Sequence, residues 1–262
     1  MKWQAMIATA ATAALLTACG DISGERPGQT AFEAEGVCDG AGREDRIVPA
    51  ALPAGLDALD VDARKATFFH TVLPAVRAAN AEVTCERRLL LAALRAGDNA
   101  DAKAVLAAFA ERYGSDDADT LLRRVDAVPT ALALAQAAVE SGWGTSRFAR
   151  HGNALFGMQS RGGDGLKARE SDATVFVFDD LRGAVRAYIR TLNTHAAYRE
   201  FRLLRAAARD DEVDACGLAR TLTRYSARGE AYGEDLCLLI RANDLDDIHP
   251  VADEVATTLP AT

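Results

Sequence analysis

Residues from Asp60 onward predict a mainly α-helical domain carrying one small β-hairpin. Apolar residues recur at three-to-four spacing through most of that stretch, and only one run, Thr174-Val175-Phe176-Val177-Phe178, has the composition of a strand. Nothing repeats at 20 to 50 residues, which excludes a solenoid. With 49% hydrophobic and 26% charged residues the chain has enough apolar sequence for a core. The 38 acidic against 30 basic side chains, a formal charge of -8 with no basic block, argue against nucleic acid as a partner.

The first eighteen residues, one lysine followed by an Ala/Thr-rich apolar run, read as an export signal rather than a membrane span. Leu16-Thr17-Ala18-Cys19 resembles a bacterial lipobox, which implies lipid attachment at Cys19 and a periplasm-facing membrane lipoprotein. Gly20, where an Asp would favour the inner membrane, tilts the expectation to the outer one. Residues 19–57, rich in Gly, Pro, Ala and charge, suit a tether. The folded domain is expected over 58–248, with 249–262 as a tail.

Within the domain, Phe68, Phe69, Val72, Leu73 and Val76 mark a helix that Pro74 should kink, and Leu89, Leu90 and Leu94 continue the pattern. Asp98-Asn99 caps a helix carrying Val105, Leu106 and Phe109 to Gly114, and 116–125 forms a short fourth. Pro129 opens an almost uniformly apolar helix through Glu140, which Gly142 and Gly144 end. A Gly-rich loop over 152–165 precedes the strand. Further helices are expected over 181–193, 198–209, 213–223 and 231–242.

Four of the five cysteines remain after Cys19, and none has the spacing of a zinc or redox motif. Two structural disulfides, Cys38 with Cys85 and Cys216 with Cys237, are the natural pairing in an oxidising compartment, although four cysteines permit three pairings and buried thiols are the alternative. His70, His151, His195 and His249 are scattered, so no metal site and no cofactor are expected. Ser141 lacks the frame of a nucleophile elbow and reads as a helix-end hydrogen-bonder.

Glu140 is the one carboxylate of its helix, and it stands in the last turn. Desolvation and the negative end of the helix dipole both disfavour its ionised form. A carboxylic acid protonated near neutral pH is what glycoside hydrolysis needs to protonate a leaving oxygen. The surrounding Gln136-Ala137-Ala138-Val139-Glu140-Ser141-Gly142-Trp143-Gly144-Thr145-Ser146, then Asn153-Ala154-Leu155-Phe156-Gly157, Tyr188, and Tyr225-Ser226-Ala227-Arg228-Gly229-Glu230-Ala231-Tyr232, resemble the glucosaminidase domain of glycoside hydrolase family 73. The similarity is to its bacterial Bax-type branch, within the lysozyme-like superfamily, and covers roughly 60–245.

That resemblance implies a lysozyme-like helical fold and an endo-β-N-acetylglucosaminidase that cuts peptidoglycan glycan strands after GlcNAc, with Glu140 as general acid. Trp143, Ser141, Asn153 and Phe156 would contact substrate, and Tyr225 or Tyr232 would steady the transition state. A second functional Glu is expected on the hairpin in some members, but Thr174 occupies that register. Glu170 is the nearest substitute, with Asp164, Asp172 and Asp179 as weaker ones; otherwise the substrate's own 2-acetamido group assists. The rival readings are a peptidoglycan-binding lipoprotein without activity and a muramidase or lytic transglycosylase. Oligomeric state is not readable from the sequence.

Overall fold

The computed structural model describes residue 38 and residues 48–160, 165–168, 173–208 and 214–247. The expected signal segment, Cys19, most of the expected tether, Asp164, Glu170, Asp172 and the expected C-terminal tail lie outside the described residues. The rest is helical, with one small sheet.

Helix α1, Val61–Ala96, is capped by Asp60, whose side chain accepts the Ala63 N–H at 2.8 Å. The two apolar stretches expected on either side of Pro74 belong to this single 36-residue helix. Pro74 forfeits one backbone hydrogen bond without ending it, because the helix is pinned by packing on both sides. At about 1.5 Å per residue α1 is roughly 54 Å long. It therefore serves two cores: Phe68, Val72, Val76 and Val83 enter the main one, and Leu90 joins Phe109, Tyr113, Leu121 and Val125 in a second.

Helix α2, Ala100–Tyr113, starts at Asn99 and stops at left-handed Gly114, and α3 follows over Ala118–Arg124. Helix α4, Thr130–Ser141, is the centre of the fold, with Thr130 to Ala138 all buried. Pro129 takes its N-cap position. Short helix α5, Arg147–Gly152, leads to the sheet. Helices α6, Leu181–Thr194, α7, Arg199–Ala207, α8, Ala215–Arg220, and α9, Glu230–Ala242, complete the chain. Helix α4 is enclosed by α1, α8 and α9.

The expected hairpin is a three-stranded antiparallel sheet. Strand β3, Thr174–Val175, lies between β1, Gln159–Ser160, and β2, Leu166–Lys167, so Val175 faces both Gln159 and Leu166. The ladder is shorter than the apolar run, yet the chain beyond it stays pinned: Phe176 and Phe178 donate their N–H groups to the carbonyls of Met158 and Gly152 at 3.0 and 2.9 Å.

Both disulfides form as expected, Cys38–Cys85 and Cys216–Cys237. Closing loops of this size restricts the unfolded chain by on the order of 3–4 kcal/mol each. The second staples α8 to α9, and the helices touch most closely at Gly233, where an added Cβ would lie 2.8 Å from the Ala219 carbonyl oxygen and the Arg220 Cα. Backbone cannot yield as a side chain can. Gly233→Ala is expected to destabilise the domain by roughly 1–3 kcal/mol in urea unfolding; an unchanged midpoint would mean that the two helices are not locked here.

Candidate active site

The end of α4 is built by Ser141. Its hydroxyl donates to the Ala137 carbonyl at 2.6 Å and accepts the Gly144 N–H at 2.9 Å. Three successive residues, Gly142, Trp143 and Gly144, then take positive φ of 58°, 58° and 77°. The left-handed backbone costs a tryptophan about 1 kcal/mol. Its ring recovers this by packing edge-on against Phe69 and Phe68, at centroid distances of 5.3 and 6.0 Å, with the Lys65 ammonium 5.2 Å from its centroid. Gly144 has no room for a side chain, since a Cβ would meet Leu52 and Leu56 at 2.8 Å. This turn stops α4 directly after Glu140 and leaves that carboxylate half-buried at the edge of the main core.

Glu140 Oε1 accepts the Tyr232 hydroxyl at 2.7 Å. Behind it lies a chain of polar groups in the otherwise apolar interior. The Tyr188 hydroxyl donates to Gln136 Oε1 at 2.6 Å, and Gln136 Nε2 donates to the Tyr232 oxygen at 3.0 Å. Glu140 Oε2 faces Gly157, 3.7 Å from where a Cβ would stand. Burial pushes the Glu140 carboxyl up to about 7, against the downward pull of the Tyr232 hydrogen bond and the Arg228 charge. Burial and the neighbouring carboxylate drive the Tyr232 phenol well upward, so it stays a donor.

The aromatic residues expected to line a groove are arranged beneath the acid. Phe156 is fully enclosed and stacks on Tyr188 at 4.0 Å. Tyr225 lies parallel to Tyr232 at 5.6 Å and donates its hydroxyl to the Phe156 carbonyl at 3.1 Å. Ser141 is fully enclosed as well. Ser141 and Phe156, expected to contact substrate, are both enclosed: one closes α4 and the other is a floor for Tyr188. Asn153 is the left-handed C-cap of α5 and ties the Phe178 carbonyl through Nδ2 at 3.0 Å, a brace for the sheet. Trp143, on the turn that ends α4, and Asn153 keep partial exposure.

Thr174, at the register expected for a second Glu, is buried in the middle strand. Asp179 is exposed, and Glu170 lies outside the described residues. Among the described residues no carboxylate is counted with the groups acting on Glu140. No group of three or more His, Cys, Asp or Glu that could hold a metal ion occurs among them.

Gln136 and Tyr188 were visible in the sequence only as members of a motif. The sign that could have assigned Gln136 a role is its position: the single polar side chain between Thr130 and Glu140, one helical turn before the acid and on the same face. A buried amide there costs free energy unless other elements satisfy it. Tyr188 had no such mark, since an aromatic on an amphipathic helix reads as core.

Residues 115–245 match the family model described as "Glucosaminidase: Mannosyl-glycoprotein endo-beta-N-acetylglucosaminidase". The chain is also 38% identical, over 191 residues, to "Protein bax" of Escherichia coli (strain K12), an alignment covering 69% of this chain and 70% of that protein. No solved structure matches.

Holding a carboxyl at about 7 rather than 4.5 has a consequence for stability. The folded chain binds that proton more tightly than the unfolded one. The stabilisation is therefore complete below about pH 4.5 and is lost as pH rises through about 7. Glu140→Gln is expected to unfold at higher urea than the parent at pH 8, by roughly 1–3 kcal/mol, with the gap narrowing toward pH 4. A gap independent of pH would mean that burial of the charge is not what raises this acid.

Proposed function

The chain belongs to the glucosaminidase family of glycosidases, with a domain of the Bax type, and on that basis we propose that it is a peptidoglycan hydrolase, an endo-β-N-acetylglucosaminidase cutting glycan strands after GlcNAc with Glu140 as general acid. The observation that carries the reading is a carboxyl held to about 7, bound to Tyr232 through one oxygen while the other faces a glycine. The family description speaks of mannosyl-glycoproteins, whose β-linked GlcNAc presents the same bond to a general acid. Similarity to a bacterial protein and the export-type N-terminus favour peptidoglycan as this chain's substrate.

In the proposed reaction Glu140 gives its Oε2 proton to the glycosidic oxygen as the C1–O bond breaks, and positive charge develops at C1 and the ring oxygen. The Glu140 carboxylate that results retains the Tyr232 hydrogen bond and the attraction of Arg228. The C1 centre is met either by a carboxylate such as Glu170 or by the carbonyl oxygen of the substrate's 2-acetamido group. Water then adds at C1 and returns a proton to Glu140, which restores the starting state. Tyr232 acts through the acid, and Tyr225 supports Tyr232 by stacking. Trp143 offers a ring face for a sugar.

The resemblance of Leu16-Thr17-Ala18-Cys19 to a lipobox supports an accompanying proposal, lipid attachment at Cys19 on a periplasm-facing membrane, the outer one favoured. A tether of about 38 residues reaches on the order of 120 Å when extended, enough to bring a membrane-held domain to the wall. The intact mass of the mature chain tests this, and an unmodified Cys19 thiol refutes it.

The reaction is tested on purified peptidoglycan by mass spectrometry of the soluble fragments. Fragments with GlcNAc at the reducing end are expected. Reducing-end MurNAc would make the enzyme a muramidase, anhydroMurNAc a transglycosylase, and no fragments a binding protein. Glu140→Gln is expected to lower kcat by roughly 10²–10⁴-fold. In the parent, kcat should fall as pH rises through about 7, where the acid loses its proton.

A further inference from the structure

We propose that Gln136 and Tyr188 are positioning residues for Glu140: the direction of their hydrogen bonds fixes the Tyr232 proton on Oε1 and thereby confines the transferable proton to Oε2. The inference rests on Glu140 being the proton donor proposed above. Its basis is the asymmetry of an amide, whose oxygen only accepts and whose nitrogen only donates. Tyr188 has one hydroxyl proton and gives it to Gln136 Oε1. Gln136 Nε2 is then left facing the Tyr232 oxygen, which accepts. The Tyr232 proton has Glu140 Oε1 before it at 2.7 Å.

A proton on Oε1 would turn the acceptor of the Tyr232 hydroxyl into a hydroxyl oxygen, a poorer acceptor than the carbonyl oxygen of a carboxyl protonated on Oε2, across that 2.7 Å contact. The acid is therefore protonated on Oε2, the oxygen facing Gly157, where the missing side chain leaves an approach. The opposite polarity would have Glu140 donate from Oε1 to Tyr232. That would bury the proton against a phenol that is 1% exposed and withdraw it from any substrate. The proposed direction also means that the carboxylate formed after transfer already has its donor in place, with no side chain to turn.

The chain is anchored at its far end. Gln136 and Tyr188 are each 0% exposed, and Tyr188 is held by its stack on Phe156, whose carbonyl in turn holds Tyr225. The titratable groups acting on Glu140 from the surrounding elements are Tyr232 on α9, Arg228 in the turn before α9, and Tyr188 on α6. Of these contacts, Tyr232 is the one whose proton direction the amide sets.

Gln136→Glu, Gln136→Met and Tyr188→Phe test the assignment through two readouts: the carboxyl titration of Glu140 followed by 13C NMR of the intact domain, and the pH profile of kcat on peptidoglycan. In Gln136→Glu the new carboxylate accepts from both phenols and draws the Tyr232 proton away. The Glu140 titration and the alkaline limb of kcat are expected to move together to higher pH by roughly one pH unit, with kcat down about 10–100-fold and KM within about twofold. Gln136→Met removes the donor to Tyr232, and a smaller shift in the same direction is expected; Tyr188→Phe, which leaves the amide but unlocks it, should lower kcat about threefold. Folded variants with the parent's titration midpoint and limb overturn the proposal, as does a loss of kcat that only tracks the folded fraction. If Gln136→Glu does not fold, the other two decide by the same criterion. If the parent cuts no glycan, the NMR midpoints still report whether the amide directs the proton, so a failed reaction and a failed proton assignment give different results.

Discussion

A helix buried on every side cannot carry polar groups without conscripting the rest of the fold, and α4 carries three near its end: Gln136, Glu140 and Ser141. Ser141 turns inward to its own helix and shapes the left-handed turn that stops it. Gln136 requires a donor and an acceptor, which come from α6 and α9, 52 and 96 residues away in sequence. Glu140 takes its donor from the same α9 tyrosine. The placing of α6 and α9 against α4 is thus dictated as much by these polar demands as by the leucines around them.

A second buried Tyr–Glu contact, between Tyr113 and Glu86, shows what separates structure from chemistry here. Glu86 on α1 accepts the Tyr113 hydroxyl, and Arg112 stands 3.1 Å from its other oxygen. One turn earlier, Glu82 is paired with Arg182 and Arg186. Those carboxylates have guanidinium partners in contact, so their charge is compensated where it lies, and they tie α1 to α2 and α6. Glu140 has a phenol in contact and only the more distant pull of Arg228. With desolvation not balanced by a contact ion pair, its proton is retained near neutrality. The same pair of residue types makes a strut in one setting and a carboxyl that keeps its proton near neutrality in the other.

What was legible in the sequence follows the range of each signal. Asn99 and Gly114 bound α2 because caps are local, and the apolar run from Pro129 located α4 with Glu140 at its end. The disulfide partners were readable because each pair lies within one half of the chain. Continuity of α1 through Pro74 was not, since a proline reports a lost hydrogen bond and says nothing of the packing that outweighs it. The hairpin strand at Thr174 was legible, but its two partners were not, for a related reason: β1 and β2 are two residues each and owe their pairing to Thr174–Val175, not to their own composition. Phe156 fits a sugar platform and a core plug equally well by type, and only its stack on Tyr188 separates the two. Tyr232 could be placed in the site by motif, but the Tyr188–Gln136–Tyr232 direction is a property of three elements meeting.

The acid is consequently only as well defined as the position of α9. Tyr232 is the side chain hydrogen-bonded to Glu140 among the described residues, and 92 positions separate them. The ion pairs on α9, Arg220 with Glu234 and Arg228 with Asp235, join side chains that are largely exposed, where solvent and salt screen their attraction. Closer control comes from Gly233, the next residue after Tyr232, which lets α9 approach the α8 backbone, and from Cys237, one turn further on, bonded to Cys216. Were α9 to move outward, Glu140 would lose the donor that stabilises its charged form while remaining partly desolvated. Its proton would then be held more tightly, and the carboxylate left after transfer would be less stable. For Glu140 to serve as the proposed general acid it must release its proton as well as keep it, and in this fold that balance depends on a glycine contact and a disulfide that do not touch the carboxyl.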